Sequence, residues 1–269
     1  MKRVISVATS DSGAGAGIQA DLKSFLRCGV YGTTAIVATT SQNTVGVNGI
    51  HAFPPEVAVG QIEAVVEDIG ADAVKTGMLF NAGIISAVAE AIQRLGLPNV
   101  VVDPVMVAES GARLLEDEAV DTYKRELFPL AAAITPNVSE AFALAFPGEP
   151  VDESRVEECA RILHGLGPRA VLITGGHTTS GDDLLYDGDS FTRIEGEVHD
   201  SQTTHGAGCT HSSALASFLA RGFDLEEAAR RARRVASEAV RYGLDEIGAG
   251  AGPVHALGAA LTLPEEDRS

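Results

Sequence analysis

Arg3-Val-Ile-Ser-Val-Ala8, then Thr9-Ser-Asp-Ser-Gly-Ala-Gly-Ala-Gly17, then Ile18-Gln-Ala-Asp-Leu-Lys-Ser-Phe-Leu26 is the stretch from which the fold can be read. The first segment is a short apolar run of strand type and the second is a turn built of glycine and small polar residues. The third places Ile18, Leu22, Phe25 and Leu26 at i, i+4, i+7 and i+8, one face of a helix. A second β-branched run, Thr33 to Thr39, ends in Ser41-Gln42-Asn43-Thr44 and completes a strand-helix-strand unit.

The same alternation continues outward. Pro54-Pro55 opens a helix to about Ile69, with Ala58, Ile62, Val65, Val66 and Ile69 on one face and prolines where a missing N–H costs nothing. Ala73-Val74-Lys75-Thr76-Gly77 reads as a short strand, Gly83 to Leu95 as a helix, and Val100-Val101-Val102-Asp103-Pro104 as a strand covered on both faces. A helix near 117 to 128, a strand at Ala132 to Thr135, a helix after Asn137, another over about 153 to 166 and a strand at Ala170 to Thr174 follow. Asp187-Gly188-Asp189 between Leu184–Tyr186 and Ser190–Ile194 predicts a hairpin and an antiparallel edge. Helices over Gly208 to Arg221 and Leu225 to Tyr242 end the pattern. With no linker, repeat or low-complexity segment, residues 1–269 read as one α/β domain, a mainly parallel sheet between two helix layers.

Composition narrows the function. With 45% apolar residues and a mean hydropathy of +0.12 the chain can bury a core, and its formal charge of -17 disfavours nucleic acid and anionic membranes. Four lysines stand against sixteen arginines, which suits either a high-salt cytoplasm or a biased base composition. Cys28, Cys159 and Cys209 are too scattered for zinc and fit a reducing compartment. No run has a membrane span's length, and the start lacks a signal-peptide core, so a cytoplasmic protein is expected.

In open α/β sheets ligands lie beyond the carboxyl ends of the strands. Those ends carry Ser10-Asp11, Ser41-Gln42-Asn43, Thr76-Gly77-Met78, Asp103-Pro104-Val105, Thr135-Pro136-Asn137 and Thr174-Gly175-Gly176. The loop at 13 to 17 lacks the Rossmann spacing and its later acidic residue, and no lysine follows a glycine, which excludes a Walker A loop. Thr203-Thr204-His205-Gly206-Ala207-Gly208-Cys209-Thr210 precedes an apolar helix, so the amides of Gly206, Ala207, Gly208 and Cys209 are a candidate anion hole for a transferred phosphoryl group. At a helix N-terminus Cys209 is expected to lean toward thiolate and to act as a base or polar contact, or else to be a small buried residue in a capping turn. Asp103 and Glu140 are candidate carboxylates for Mg²⁺ through water, while Asn137 and Glu140 also have the spacing of a capping box. Glu226, Glu227, Arg230, Arg231, Arg233 and Arg234 read as a charge-paired outer helix face with no binding role.

Taken in order, Ser10-Asp-Ser-Gly-Ala-Gly-Ala-Gly-Ile-Gln-Ala-Asp-Leu-Lys23, Gln42-Asn-Thr44, Lys75-Thr-Gly-Met-Leu79, Val102-Asp-Pro-Val-Met106, Thr135-Pro-Asn-x-x-Glu-Ala141 and Thr204-His-Gly-Ala-Gly-Cys-Thr210 resemble the hydroxymethylpyrimidine and phosphomethylpyrimidine kinases of thiamine biosynthesis. The resemblance implies a three-layer αβα fold of the ribokinase-like superfamily, often a homodimer. It implies transfer of the ATP γ-phosphoryl group, with Mg²⁺, to 4-amino-5-hydroxymethyl-2-methylpyrimidine and to its monophosphate. It places the pyrimidine at Ala16, Gln42, Met78 and Val105, and the nucleotide at Asn137, Thr174 and Gly176. The family commonly has a lysine before the Gly-Gly-His that stands here as Gly175-Gly176-His177, and this chain has Thr174. A pyridoxal-type kinase on the same scaffold, or a catalytically weakened ligand-binding relative, is the alternative.

Overall fold

Strands that are apolar on both faces require cover on both sides. A computed structural model, which describes residues 1–106, 117–176, 178, 180–201 and 203–258, shows how this is met. The strands are β1 (Arg3–Asp11), β2 (Tyr31–Gln42), β3 (Val47–Ala52), β4 (Ala73–Thr76), β5 (Val100–Val102), β6 (Ala133–Ile134), β7 (Val171–Ile173), β8 (Asp183–Tyr186) and β9 (Phe191–Ile194). They form one sheet in the order β3-β2-β1-β4-β5-β6-β7-β8-β9. The run from β2 to β7 is parallel throughout, and both edges are antiparallel.

One layer of helices holds α2 (Pro55–Asp68), α3 (Ala82–Leu95), α4 (Asp117–Thr122), α5 (Val138–Ala145) and α6 (Val156–His164). The other holds α1 (Gly17–Arg27), α7 (Ala207–Ala220) and α8 (Leu225–Arg241). Alternation along β5 sorts the core: Val100 and Val102 join the first layer's cluster and Val101 the second's. Each is fully or almost fully buried, so each contributes roughly 1.5–3 kcal/mol of apolar burial. The crossover through α1 leads from β1 to β2, and the one through α2 leads back to β4 on the far side of β1. The chain therefore reverses its direction across the sheet between β1 and β4, which opens a crevice beyond their carboxyl ends.

Two local expectations change, and one strand is added to those expected from the sequence. Leu22 and Leu26 are 38% and 70% exposed, because the inward face of α1 carries Asp21 and Ser24 with Ile18, Ala20 and Phe25. The edge strand β3 has Asn48-Gly49 in its middle and is held by its ladder to β2 rather than by propensity. The helix expected over 117 to 128 is α-helical only to Thr122, widens into a π-helical turn over Tyr123–Leu127 and tightens at Phe128–Leu130, since Pro129 offers no N–H. The hairpin about Asp187-Gly188-Asp189 forms as read.

Candidate active site

Asp11, the last residue of β1, organises the first glycine loop. Its Oδ1 accepts the Gly13 amide at 2.8 Å, and its Oδ2 accepts those of Gly15 at 3.1 Å and Ala16 at 2.9 Å. The same Oδ2 lies 3.0 Å from Nε2 of His205, in the second glycine loop. Burial pushes the Asp11 carboxyl up, but His205 and the Ala16 and Gly13 amides outweigh it and leave it below the usual carboxylate range. The two loops touch directly: a Cβ on Gly15 would collide with the His205 ring, and one on Gly206 with the Gly15 carbonyl. Gly206 also takes φ 90, which favours glycine.

Gly206 caps α7. The Ala207 amide is used by the Thr204 carbonyl at 3.0 Å, so it is not available as an anion-hole donor. Those of Gly208 and Cys209 make no hydrogen bond among the described residues, and a Cβ on Gly208 would meet nothing within 4 Å. The anion hole expected from sequence is thus narrower, with Gly208 and Cys209 at its centre. Cys209 does not lean toward thiolate: burial, with Asp21 and Asp103 nearby, outweighs Lys75 and pushes its thiol up to about 12.

Beneath it lies a pair that sequence reasoning had not assigned. Lys75 Nζ and Asp21 Oδ1 are 2.9 Å apart, both side chains without exposure. Ser213 donates to Asp21 Oδ1 at 2.7 Å and Ser6 to its Oδ2 at 2.5 Å. Burial pulls the Lys75 ammonium down, yet Asp21, with Cys209 and Asp103 nearby, outweighs it and holds it above the usual lysine range. A Cβ on Gly77 would stand 2.8 Å from Lys75 Nζ, which explains the glycine in Lys75-Thr-Gly77. The apolar run of β4 offered no signal for this pair beyond a lysine standing inside it.

Asp103 follows β5 and accepts Ser212 Oγ at 2.9 Å. Glu140 accepts the amides of Asn137 at 3.0 Å and Met106 at 3.3 Å, while Asn137 Oδ1 accepts the Glu140 amide at 2.9 Å. The capping box therefore exists, and the carboxylate still lines the cavity with Asp103. Burial and the neighbouring Asp103 push Glu140 up to about 8, and burial also raises Asp103. Two carboxylates that destabilise one another's charge suit a hydrated divalent cation. No group of three or more His, Cys, Asp or Glu placed to hold a metal occurs among the described residues.

A cavity of about 230 Å³ joins these parts, with Ala16, Gln42, Met78 and Val105 at its walls together with Asn137, Thr174 and Gly176. Every residue singled out from the sequence for substrate, nucleotide or cation meets there, with Gly206 to Cys209. His177 lies outside the described residues. The α8 reading holds in part: Arg230 and Arg231 pair with Glu226 and Glu227 at 2.7 Å, but Arg233 is only 8% exposed and lines the same cavity. Position 233 lies four residues after buried Ala229 and three before buried Ala236, the helical spacing that would have revealed it.

A phosphate-directed helix start facing two carboxylates at the strand ends of an αβα sheet is the arrangement of a small-molecule kinase. Comparison with known proteins makes this specific. The sequence matches the phosphomethylpyrimidine kinase family over residues 11–255, and the chain belongs to that family. It is 48% identical over 260 residues to the thiamine biosynthesis bifunctional protein ThiED of Geobacter sulfurreducens, covering 96% of this chain and 52% of that one. The chain thus spans about half the length of that relative. It is 44% identical to the hydroxymethylpyrimidine/phosphomethylpyrimidine kinase of Bacillus subtilis, over 94% of each chain. Among solved structures, the ADP complex of Bacillus subtilis pyridoxal kinase superposes with a TM-score of 0.89 at 36% identity, covering 97% of this chain and 99% of that one. Phosphomethylpyrimidine kinase from Clostridium difficile gives 0.78 at 37% identity, covering 89% and 100%.

Proposed function

We propose that this chain transfers the γ-phosphoryl group of ATP to the hydroxymethyl oxygen of 4-amino-5-hydroxymethyl-2-methylpyrimidine, and then phosphorylates the monophosphate. The observation that carries the reading is one continuous cavity with a neutral, amide-bearing wall at Gln42, Met78 and Val105 and open backbone N–H groups at Gly208 and Cys209. A carboxamide offers the donor and acceptor that match an aminopyrimidine edge. The hydroxymethyl oxygen forms a bond to the γ-phosphorus as the bond to the β-bridging oxygen breaks, and ADP leaves. The Gly208 and Cys209 amides take the charge that builds on the transferred oxygens. Bound Mg²⁺, held through water by Asp103 and Glu140, would neutralise charge on the β- and γ-phosphates. With its thiol protonated, Cys209 contacts the attacking oxygen without taking its proton; in a loose transfer that proton leaves late, to an oxygen of the transferred phosphoryl group and then to solvent.

The test is ADP release with Mg²⁺, ATP and the hydroxymethylpyrimidine, with products followed by mass. Mono- and then diphosphate should appear, and ADP release should depend on both the pyrimidine and Mg²⁺. No release above the substrate-free rate overturns the reading. The pyridoxal kinase likeness favours a second reading, and a pyridoxal kcat/KM about tenfold above that of the pyrimidine would select it. The exposed Leu22, Leu26 and Tyr31 supply apolar surface consistent with the homodimer expected from the family.

A further inference from the structure

Arg233 is buried beside the cavity with donors to spare. Its Nη2 donates to the Gly181 carbonyl at 2.6 Å and the Glu197 carbonyl at 3.3 Å. Nε has no hydrogen-bond partner among the described residues. The neighbouring carboxylate oxygen, Asp183 Oδ1, is 3.9 Å away and already accepts the Gly175 amide at 2.9 Å. Nη1 makes no hydrogen bond among the described residues and stands 4.0 Å from the place a Cβ on Gly176 would occupy. Gly196 lies flat against the guanidinium, where a Cβ would collide with Nη2 and Nε. A cation kept nine-tenths out of water with unused donors is costly unless something anionic completes it.

Three other basic groups of the cavity are taken: Lys75 is paired with Asp21, His205 with Asp11 and His199 with the Ser237 hydroxyl at 2.8 Å. The ring nitrogens of His211 make no hydrogen bond among the described residues, and its Nε2 lies 3.1 Å from Asp183, but an imidazole lacks the permanent charge of a guanidinium. Thr174, just before the Gly175 turn, brings no charge to this side of the cavity. A polyphosphate running past Gly175–Gly176 toward the Gly208 and Cys209 amides would meet Nη1 of Arg233, whose two N–H groups are unused and carry a permanent charge suited to phosphate oxygens.

We propose that Arg233 is the phosphate-binding cation for the donor nucleotide, standing beside the Gly175 turn that Asp183 holds. The proposal rests on the kinase reading above. Its test compares ADP with adenosine, which differ in the phosphates alone. Arg233→Met should weaken ADP binding at least tenfold in calorimetry while adenosine affinity stays within twofold, and adding Thr174→Lys should restore much of the loss. Because Arg233 also ties down two carbonyls, the wild type carries an independent measurement. In ¹⁵N-arginine NMR, with Arg233→Lys used for assignment, the Arg233 Nε signal should shift with ADP and stay put with adenosine. A folded Arg233→Met protein that binds ADP within twofold of wild type, or an Nε signal indifferent to ADP, overturns the assignment. If the wild type phosphorylates neither pyrimidine nor pyridoxal while its ADP preference still depends on Arg233, the kinase reading alone fails.

Discussion

His205 Nε2 and Asp11 Oδ2 meet at 3.0 Å across 194 residues of sequence, and this contact fastens the first glycine loop to the second. One carboxylate thereby sets the place of both glycine loops, because it also holds three amides of its own loop.

Asp11→Asn removes the charge at nearly constant volume. Hydrogen bonds to a charged group contribute about 1.5–3 kcal/mol, so the variant should be less stable at pH 7 by an amount in that range. The sign of the pH effect follows from the depressed carboxyl. Its contribution is complete above the ordinary aspartate range near pH 4 and is lost as pH falls through the lower folded value. Urea midpoints of the two proteins should therefore converge below about pH 4. A gap as wide at pH 3 as at pH 7 would show that Asp11 acts without its charge.

Gly206→Ala tests the contact between the loops. Its φ of 90 and the facing Gly15 carbonyl leave no room for a Cβ, so the second loop must shift. Displacement of about 1 Å from a reacting group costs on the order of 10² in rate. The expected result is a fall of that size in kcat/KM together with a lowered melting temperature, and steady-state kinetics beside calorimetry would reveal a variant that stays active.

Cys209 should behave as a protonated thiol. With its thiol pushed up to about 12, iodoacetamide labelling at this position should be slow at pH 7 and accelerate steadily above pH 9. Cys209→Ala should cost less than about 10² in kcat, below what positioned base catalysis contributes. A loss of 10³ or more, with labelling already complete at pH 7, would restore the thiolate.

Glu140 reports on the cation. Its folded carboxyl is raised to about 8, so its ionisation opposes folding: the stability it contributes is whole below the ordinary glutamate range near pH 4.3 and is lost as pH rises through about 8. Without divalent cation the wild type should lose stability between pH 5 and pH 8, and Glu140→Gln should flatten that slope. Adding Mg²⁺ at pH 8 should raise the melting temperature of the wild type and leave Glu140→Gln nearly unmoved; equal shifts in both would remove Glu140 from the cation site.

Much of this was readable before any coordinates. Val100 to Val102 announced a doubly covered strand, and the polar ends at Gln42, Asp103, Asn137 and Thr174 marked the cavity because a parallel sheet gathers such ends on one side. What stayed hidden depends on pairing across the fold. The Lys75–Asp21 bond joins residues 54 positions apart, and nothing local distinguishes that lysine from one at a strand's solvent edge. The Cys209 thiol was misread because helix position suggests one direction of shift, while burial and the nearby Asp21 and Asp103 impose the other. Arg233 is different: its spacing from Ala229 and Ala236 put it on the buried face, and only the run of like residues around it, of which Arg230 and Arg231 pair with surface acids, drew the reading outward.

The reversed direction of β8 divides a short length of chain into two regimes. Pairing Ile173 with Leu184 and Val171 with Tyr186 sets Asp183 level with the strand ends at the cavity and sends the tip at Asp187–Ser190 to the opposite pole. Inserted residues at that tip would lengthen a solvent turn and leave the catalytic face unaltered. Residues added between Gly176 and Asp183 would instead fall on the cavity side, beside the Gly175 turn that Asp183 holds. An epitope tag, a fluorophore or a surface tether therefore belongs at Gly188, where the enzyme can be handled from behind.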